Sequence, residues 1–133
     1  MSLNSNFFKQ EEFKCKCGTC TPLFIPEQPD NSVETPKPRW VPYSLLKRLD
    51  ILRSTVGEPL RVTSGYRCPK YNARVDGTRN SYHMKGLAAD LLYPKKMSKD
   101  KFQDYCEKIF HDGGVGTYNT FVHVDVRGRR ARW

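Results

Sequence analysis

Phe121-Val-His123-Val-Asp125-Val-Arg127 alternates without a break between β-branched and other side chains. In an extended strand successive side chains point to opposite faces. Val122, Val124 and Val126 therefore share one face and are candidates for the core. Phe121, His123, Asp125 and Arg127 share the other. A half-exposed sheet explains the alternation, but it does not call for an imidazole, a carboxylate and a guanidinium in a row.

A second block has the same character: Ser81-Tyr-His83-Met-Lys-Gly86-Leu-Ala-Ala-Asp90. Gly86, Ala88 and Ala89 are small enough for another element to approach the backbone closely. In a strand over Leu87 to Tyr93, ended by Pro94, Ala88 and Asp90 share a face while Ala89 and Leu91 point away. A carboxylate inside so apolar a run is costly unless paired, hydrogen-bonded or metal-bound. His83 lies on the turn leading in and could fold back beside Asp90. Two imidazoles and a carboxylate make a common three-ligand catalytic zinc set, with water in the fourth place. Spacing alone leaves other readings open: His83 as an ordinary loop histidine, and Asp90 as the partner of an arginine.

Around these blocks the chain reads as α+β. From Pro42 to Val56, Leu45, Leu46, Leu49, Leu52 and Val56 recur at helical spacing, with Pro42 suited to the first turn and Gly57 to the stop. Leu60 to Ser64 is a short strand candidate before Gly65. Ser98 can cap a second helix running to Phe110, with Phe102, Tyr105, Cys106 and Ile109 as its buried stripe. Gly113 to Tyr118 and Phe121 to Arg127 form a closing strand pair. The expected architecture is a mainly antiparallel sheet flanked by helices. Glu27 to Pro42 is rich in proline and reads as a long irregular loop. The 133 residues fit one domain, with residues 1–41 as an N-terminal extension and 42–133 as the core.

The formal charge is +9, which favours an anionic partner such as wall polymer, an acidic membrane face or nucleic acid. Arg127, Arg129, Arg130 and Arg132 concentrate that charge near the end of the sequence. No accompanying nucleic-acid motif is present, so specific nucleic-acid binding is not expected. No apolar run approaches the roughly 20 residues of a membrane span. Met1 to Gln10 lacks a basic start followed by an apolar stretch, so the expectation is a monomer that is cytoplasmic as synthesised. The odd count of 5 cysteines argues against a closed disulfide framework. Cys15-x-Cys17-x-x-Cys20 could instead hold a structural metal with Cys68 as a fourth ligand, although the spacing is not that of paired CxxC motifs. Cys106 reads as packing.

Taken together, several blocks resemble the zinc D-Ala-D-Ala peptidases of the M15 type, in particular the small branch of phage lysins and murein endopeptidases. They are Ser64-Gly-Tyr-Arg67-Cys68, Asn72, Ser81-x-His83-x-x-Gly86-x-Ala88-x-Asp90, Gly113-Gly-Val-Gly116-x-Tyr118, and Phe121 to Arg127 with Trp133. Phe13-x-Cys15-x-Cys17-Gly18 also looks like this branch. The resemblance implies the hedgehog/D-Ala-D-Ala peptidase fold, with one Zn2+ on His83, Asp90 and His123. It further implies water attack on a peptide bond next to a D-amino acid in peptidoglycan stem peptides. A phage or prophage origin, with release to the wall, would fit such an enzyme.

The sequence departs from many relatives in one respect. They carry Glu or Asp three residues before the last zinc histidine, where this chain has Thr120. Asp125 is the nearest carboxylate on the same strand face and is the candidate general base. Two alternatives stay open for it: orienting a histidine or Arg67, and binding the metal itself with His123 as the catalytic partner. By the resemblance Arg67 lies near substrate, where its fork can grip a carboxylate or a developing oxyanion. A structural ion pair with Asp90 or Asp76 is the alternative. Ser81 is expected to hydrogen-bond near the site or to form its turn. A zinc-containing binding module without catalysis is the competing function, as in the hedgehog signalling domain, which resembles this fold.

Overall fold

In the computed structural model, which describes residues 5, 7–25 and 37–133, the expected helices and strands are present with shorter ends. Helix α1 (Tyr43–Val56) buries Leu45, Leu46, Leu49, Leu52 and Val56 along one stripe. Pro42 caps it from outside in an extended conformation. Gly57 ends it at φ 78°, a left-handed conformation natural to glycine, and donates to Arg53 O at 3.0 Å. Helix α3 (Lys99–Ile109) starts at Ser98, whose Oγ accepts from Lys101 N at 3.2 Å. Its Phe102 and Cys106 are buried, and Tyr105 and Ile109 pack partly buried against the same cluster.

Five strands form the main sheet in the order β3 (Val62–Ser64), β4 (Ala88–Leu92), β6 (Phe121–Asp125), β5 (Gly114–Thr117) and β7 (Ala131–Arg132). Every pairing is antiparallel except β5 with β7. The β4/β6 register places Asp90 opposite His123 and Ala88 opposite Asp125. Side-chain alternation then sorts the two faces. Ala89, Leu91, Val115, Val122 and Val124 join the leucines of α1 and the apolar residues of α3 in one buried cluster. Asp90, His123 and Asp125 stand on the other face, and register alone brings them together.

Several elements were not expected. Helix α2 (Pro69–Arg74) begins with proline at its first position, after Cys68. Strand β7 adds a parallel edge next to β5. The irregular reading of Glu27 to Pro42 is corrected in part: Lys37–Arg39 forms strand β2, paired antiparallel with β1 (Leu23–Ile25). Pro38 is tolerated there because a two-stranded ribbon is all edge. Residues 26–36 lie outside the described residues. Phe8, Phe13, Cys15, Trp40 and Val41 belong to the same buried cluster as α1. Among the described residues, no helix is long and apolar enough to cross a membrane.

Candidate metal centre

His83 sits in a single 3-10 turn (Tyr82–Lys85) leading into β4. Ser81 caps this turn, its Oγ accepting from His83 N at 3.2 Å. The ring is turned by a second bond, in which Nδ1 lies 2.7 Å from Gly65 O. A carbonyl oxygen can only accept, so Nδ1 carries the hydrogen, and in the neutral ring Nε2 presents its lone pair. That nitrogen lies 3.1 Å from Asp90 Oδ1.

His123 is oriented in the same manner from the other side. Its Nε2 lies 2.8 Å from Asp125 Oδ2, while Nδ1 lies 3.1 Å from Asp90 Oδ1 and 3.2 Å from His83 Nε2. Asp125 is fully buried. Burial alone would raise its carboxyl pKa, but bonds from His123, Arg127 and Gly114 N outweigh it and hold the group well below the usual carboxylate range. An ionised carboxylate accepts only, so His123 donates from Nε2 and turns the lone pair of Nδ1 toward Asp90 and His83.

Three buried electron-pair donors therefore converge: His83 Nε2, His123 Nδ1 and Asp90 Oδ1, each about 3.1 to 3.2 Å from the others. With both rings neutral, such a triad repels itself unless a cation sits among the three atoms. The spacing matches ligands around one ion at bond lengths of about 2.0 to 2.2 Å. A proton is the alternative occupant. Burial lowers the pKa of His123, but its bonds to Asp125 and Asp90 raise it to a net value above the usual one. The donor set thus fits zinc, with each histidine held by an outer partner as metal-binding histidines are.

Arg67 stands behind the triad. Its Nη2 donates to Asp90 Oδ2 at 3.2 Å, Nη1 to Asn72 Oδ1 at 3.2 Å and Nε to Ser64 Oγ at 3.0 Å. Oδ2 of Asp90 is thereby occupied and Oδ1 is left for the histidines. Asn72, buried on α2, also donates from Nδ2 to Thr78 O at 3.0 Å. This is the ion pair with Asp90 that the sequence offered as one of two roles for Arg67, and the guanidinium also lines the cleft described below.

Asp125 does not reach the convergent atoms. It lies against the opposite nitrogen of His123, and Arg127 grips it through Nε and Nη2, at 2.9 Å to Oδ1 and 2.8 Å to Oδ2 respectively. Gly114 N donates to Oδ1 at 2.8 Å. A Cβ at Gly114 would collide with both the Asp125 carboxylate and the Arg127 guanidinium, so glycine is what lets β5 close over this ion pair. Arg127 in turn lies over the rings of Tyr82 and Trp133, at 4.2 and 5.1 Å. Trp133 packs beside His123 with ring centroids 5.0 Å apart. Its Nε1 donates to the Tyr118 hydroxyl at 2.8 Å.

A cleft of about 590 Å³ opens over the triad. Arg67, Ser81, Tyr82, Tyr118, Arg127 and Trp133 all contribute to its walls. The supporting shell was largely invisible in sequence, although the glycine-rich run Gly113-Gly-Val-Gly116 within a strand was a signal of close backbone approach. The basic cluster at the end of the sequence is partly spent on internal contacts: Arg127 on Asp125, and Arg132 on Glu107 and the carbonyl of Gly113.

A mainly antiparallel sheet thus brings His83, Asp90 and His123 together at the floor of a cleft, a group that could hold one metal ion. The family profile of Peptidase M15 matches residues 6–125, and the chain belongs to this family of zinc-dependent peptidases. No curated protein matches the chain.

Proposed function

We propose that the protein is a zinc peptidase acting on peptidoglycan stem peptides, at a bond next to a D-amino acid. The observation that carries this reading is the convergence of three oriented lone pairs, from His83, Asp90 and His123, at the floor of a cleft walled by arginines and aromatic rings. Zinc held there would lower the pKa of a bound water to about 7 and polarise a carbonyl.

The residues of the chain divide the remaining work. His83, Asp90 and His123 are the ligands. Arg67 fixes which oxygen of Asp90 faces the histidines and lines the cleft, where its remaining N–H groups would be available to a carboxylate of the stem peptide or a developing oxyanion. Ser81 holds the turn that delivers His83. Asp125 is assigned the orienting role rather than that of general base: its oxygens already accept from His123, Arg127 and Gly114, and it is sealed from the cleft. A group so engaged cannot take a proton from water without breaking its ion pair with Arg127.

The same observation gives weight to a second reading, a zinc-bearing binding module of this fold. Thr120 stands where relatives carry the acid, Asp125 is engaged, and among the described residues the other carboxylate on the cleft wall besides Asp90 is the exposed Asp76. Purified protein with zinc, incubated with murein and followed by mass spectrometry, separates the two. New amine termini that disappear in His83→Ala identify a peptidase and the bond it cuts. Retention of murein fragments with no new termini identifies the module.

A further inference from the structure

We propose that Cys15, Cys17, Cys20 and Cys68 form a second, structural zinc centre, a tetrathiolate clip between the N-terminal segment and the turn that carries Arg67. The four sulfur atoms lie within 4.8 Å of one another, although Cys68 is 53 residues from Cys15. Four thiolates bound at about 2.3 Å to one tetrahedral ion fill all its positions, the pattern of a closed structural site. A cluster of several irons would hold its outer thiolates farther apart, so the spacing selects a mononuclear ion. Thiolate ligands select zinc over the hard cations.

Three of the four sulfurs, those of Cys15, Cys17 and Cys68, have the surroundings of thiolate ligands rather than packed thiols. Cys15 Sγ accepts from Cys68 N at 3.3 Å, and Cys68 Sγ accepts from Tyr71 N at 3.4 Å. Cys17 Sγ accepts from Thr19 N at 3.4 Å and from Cys20 N at 3.3 Å. Backbone amides aimed at sulfur disperse negative charge, which a neutral thiol does not require. Cys106, alone on α3 and buried in the core, has no such company.

The clip has a clear mechanical target. Tyr66 N donates to Phe13 O at 2.9 Å, Lys16 Nζ donates to Thr63 O, and a Cβ at Gly65 would strike the backbone of Phe13. The N-terminal segment is thus pressed against residues 63–68. That stretch supplies the Gly65 carbonyl that turns His83 and the Arg67 that holds Asp90. A second ion would fix the scaffold behind the first.

Metal analysis with zinc-edge X-ray absorption tests this on full-length protein prepared with zinc under reducing conditions. Wild type is expected to carry two zinc ions per chain. The double variant H83A/H123A should keep one, bound by four sulfurs at about 2.3 Å. C17S/C20S should lose the sulfur-bound ion and keep one with nitrogen and oxygen ligands, while C106A keeps both. A wild-type protein without sulfur-bound zinc would overturn the proposal, and so would an H83A/H123A protein devoid of zinc. If C17S/C20S fails to fold, the wild-type absorption spectrum still decides. Alkylation of the denatured, metal-stripped protein should modify all five cysteines. A disulfide among Cys15, Cys17, Cys20 and Cys68 under these conditions would also overturn the clip.

Discussion

Asp125 Oδ2 lies 2.8 Å from His123 Nε2, and this one contact decides which nitrogen of His123 faces Asp90. The ring is a donor on the buried side and an electron-pair donor on the cleft side only while Asp125 remains ionised. The strand places the carboxylate, but its partner Arg127 and the amide of Gly114 keep it charged.

Replacing Asp125 by asparagine offers His123 a group that both donates and accepts, so the ring can invert its tautomer. We expect Asp125→Asn to weaken zinc affinity by about 10- to 100-fold, measured by competition with a chromophoric chelator. A catalytic base with no orienting role would show lost turnover at unchanged zinc affinity. Asp125→Ala should also cost about 3 to 5 kcal/mol in urea denaturation, because it leaves Arg127 partly buried and unpaired.

At a zinc site of this composition, protons and zinc would compete for His123. Its folded pKa lies above the ordinary value of about 6.5, so zinc affinity should be full above that raised value and fall as pH drops through it. In protein stripped of metal the same shift has the opposite consequence. The bound proton stabilises the fold fully below the unfolded pKa, and this contribution disappears as pH rises through the raised one. Melting curves of chelated protein should therefore show stability declining across that window, and zinc should remove the decline. A melting temperature that rises with pH there in the chelated protein would contradict the proton-bridged triad.

Gly116 faces the indole of Trp133, where an added Cβ would overlap ring atoms. Gly116→Ala should push Trp133 away from His123 and cost about 1 to 3 kcal/mol, as overpacking does. Thermal denaturation measures the cost, and altered tryptophan fluorescence reports the displacement.

Arg67 holds Ser64, Asn72 and Asp90 from three nitrogens of one plane. Lysine keeps the charge but has a single point of attachment. Arg67→Lys should lower zinc affinity through a loosened Asp90 and raise KM for murein fragments. An unchanged zinc affinity with a raised KM would restrict Arg67 to substrate binding.

The meeting of His83, Asp90 and His123 was legible in part through two local patterns, while their reading as a zinc set came from the resemblance. Alternation over residues 121–127 separated Val122 and Val124 from His123 and Asp125, and the small residues before Asp90 marked a carboxylate in a tight strand. The contacts that engage Asp125 were not legible. Alternation assigns a face, but it does not reveal that β5 closes over that face at Gly114. Helix α2 escaped notice because six residues carry too little periodicity, and the loop reading of residues 37–39 failed because proline excludes a central strand but not an edge. The sulfur cluster was legible in part: Cys15, Cys17 and Cys20 are local, and Cys68, offered from the sequence as a fourth ligand, is brought to them by the fold.

Asp90 and His123 face each other directly across β4 and β6. A slip of one residue between these strands would turn either ligand into the apolar core and put a leucine, an alanine or a valine in its place. An ion held by these residues could therefore be gripped in only one of the alignments these strands could adopt. Metal capture at this site would act as a proofreader of strand pairing: it would reward the correct ladder alone, and only after the sheet has been zipped.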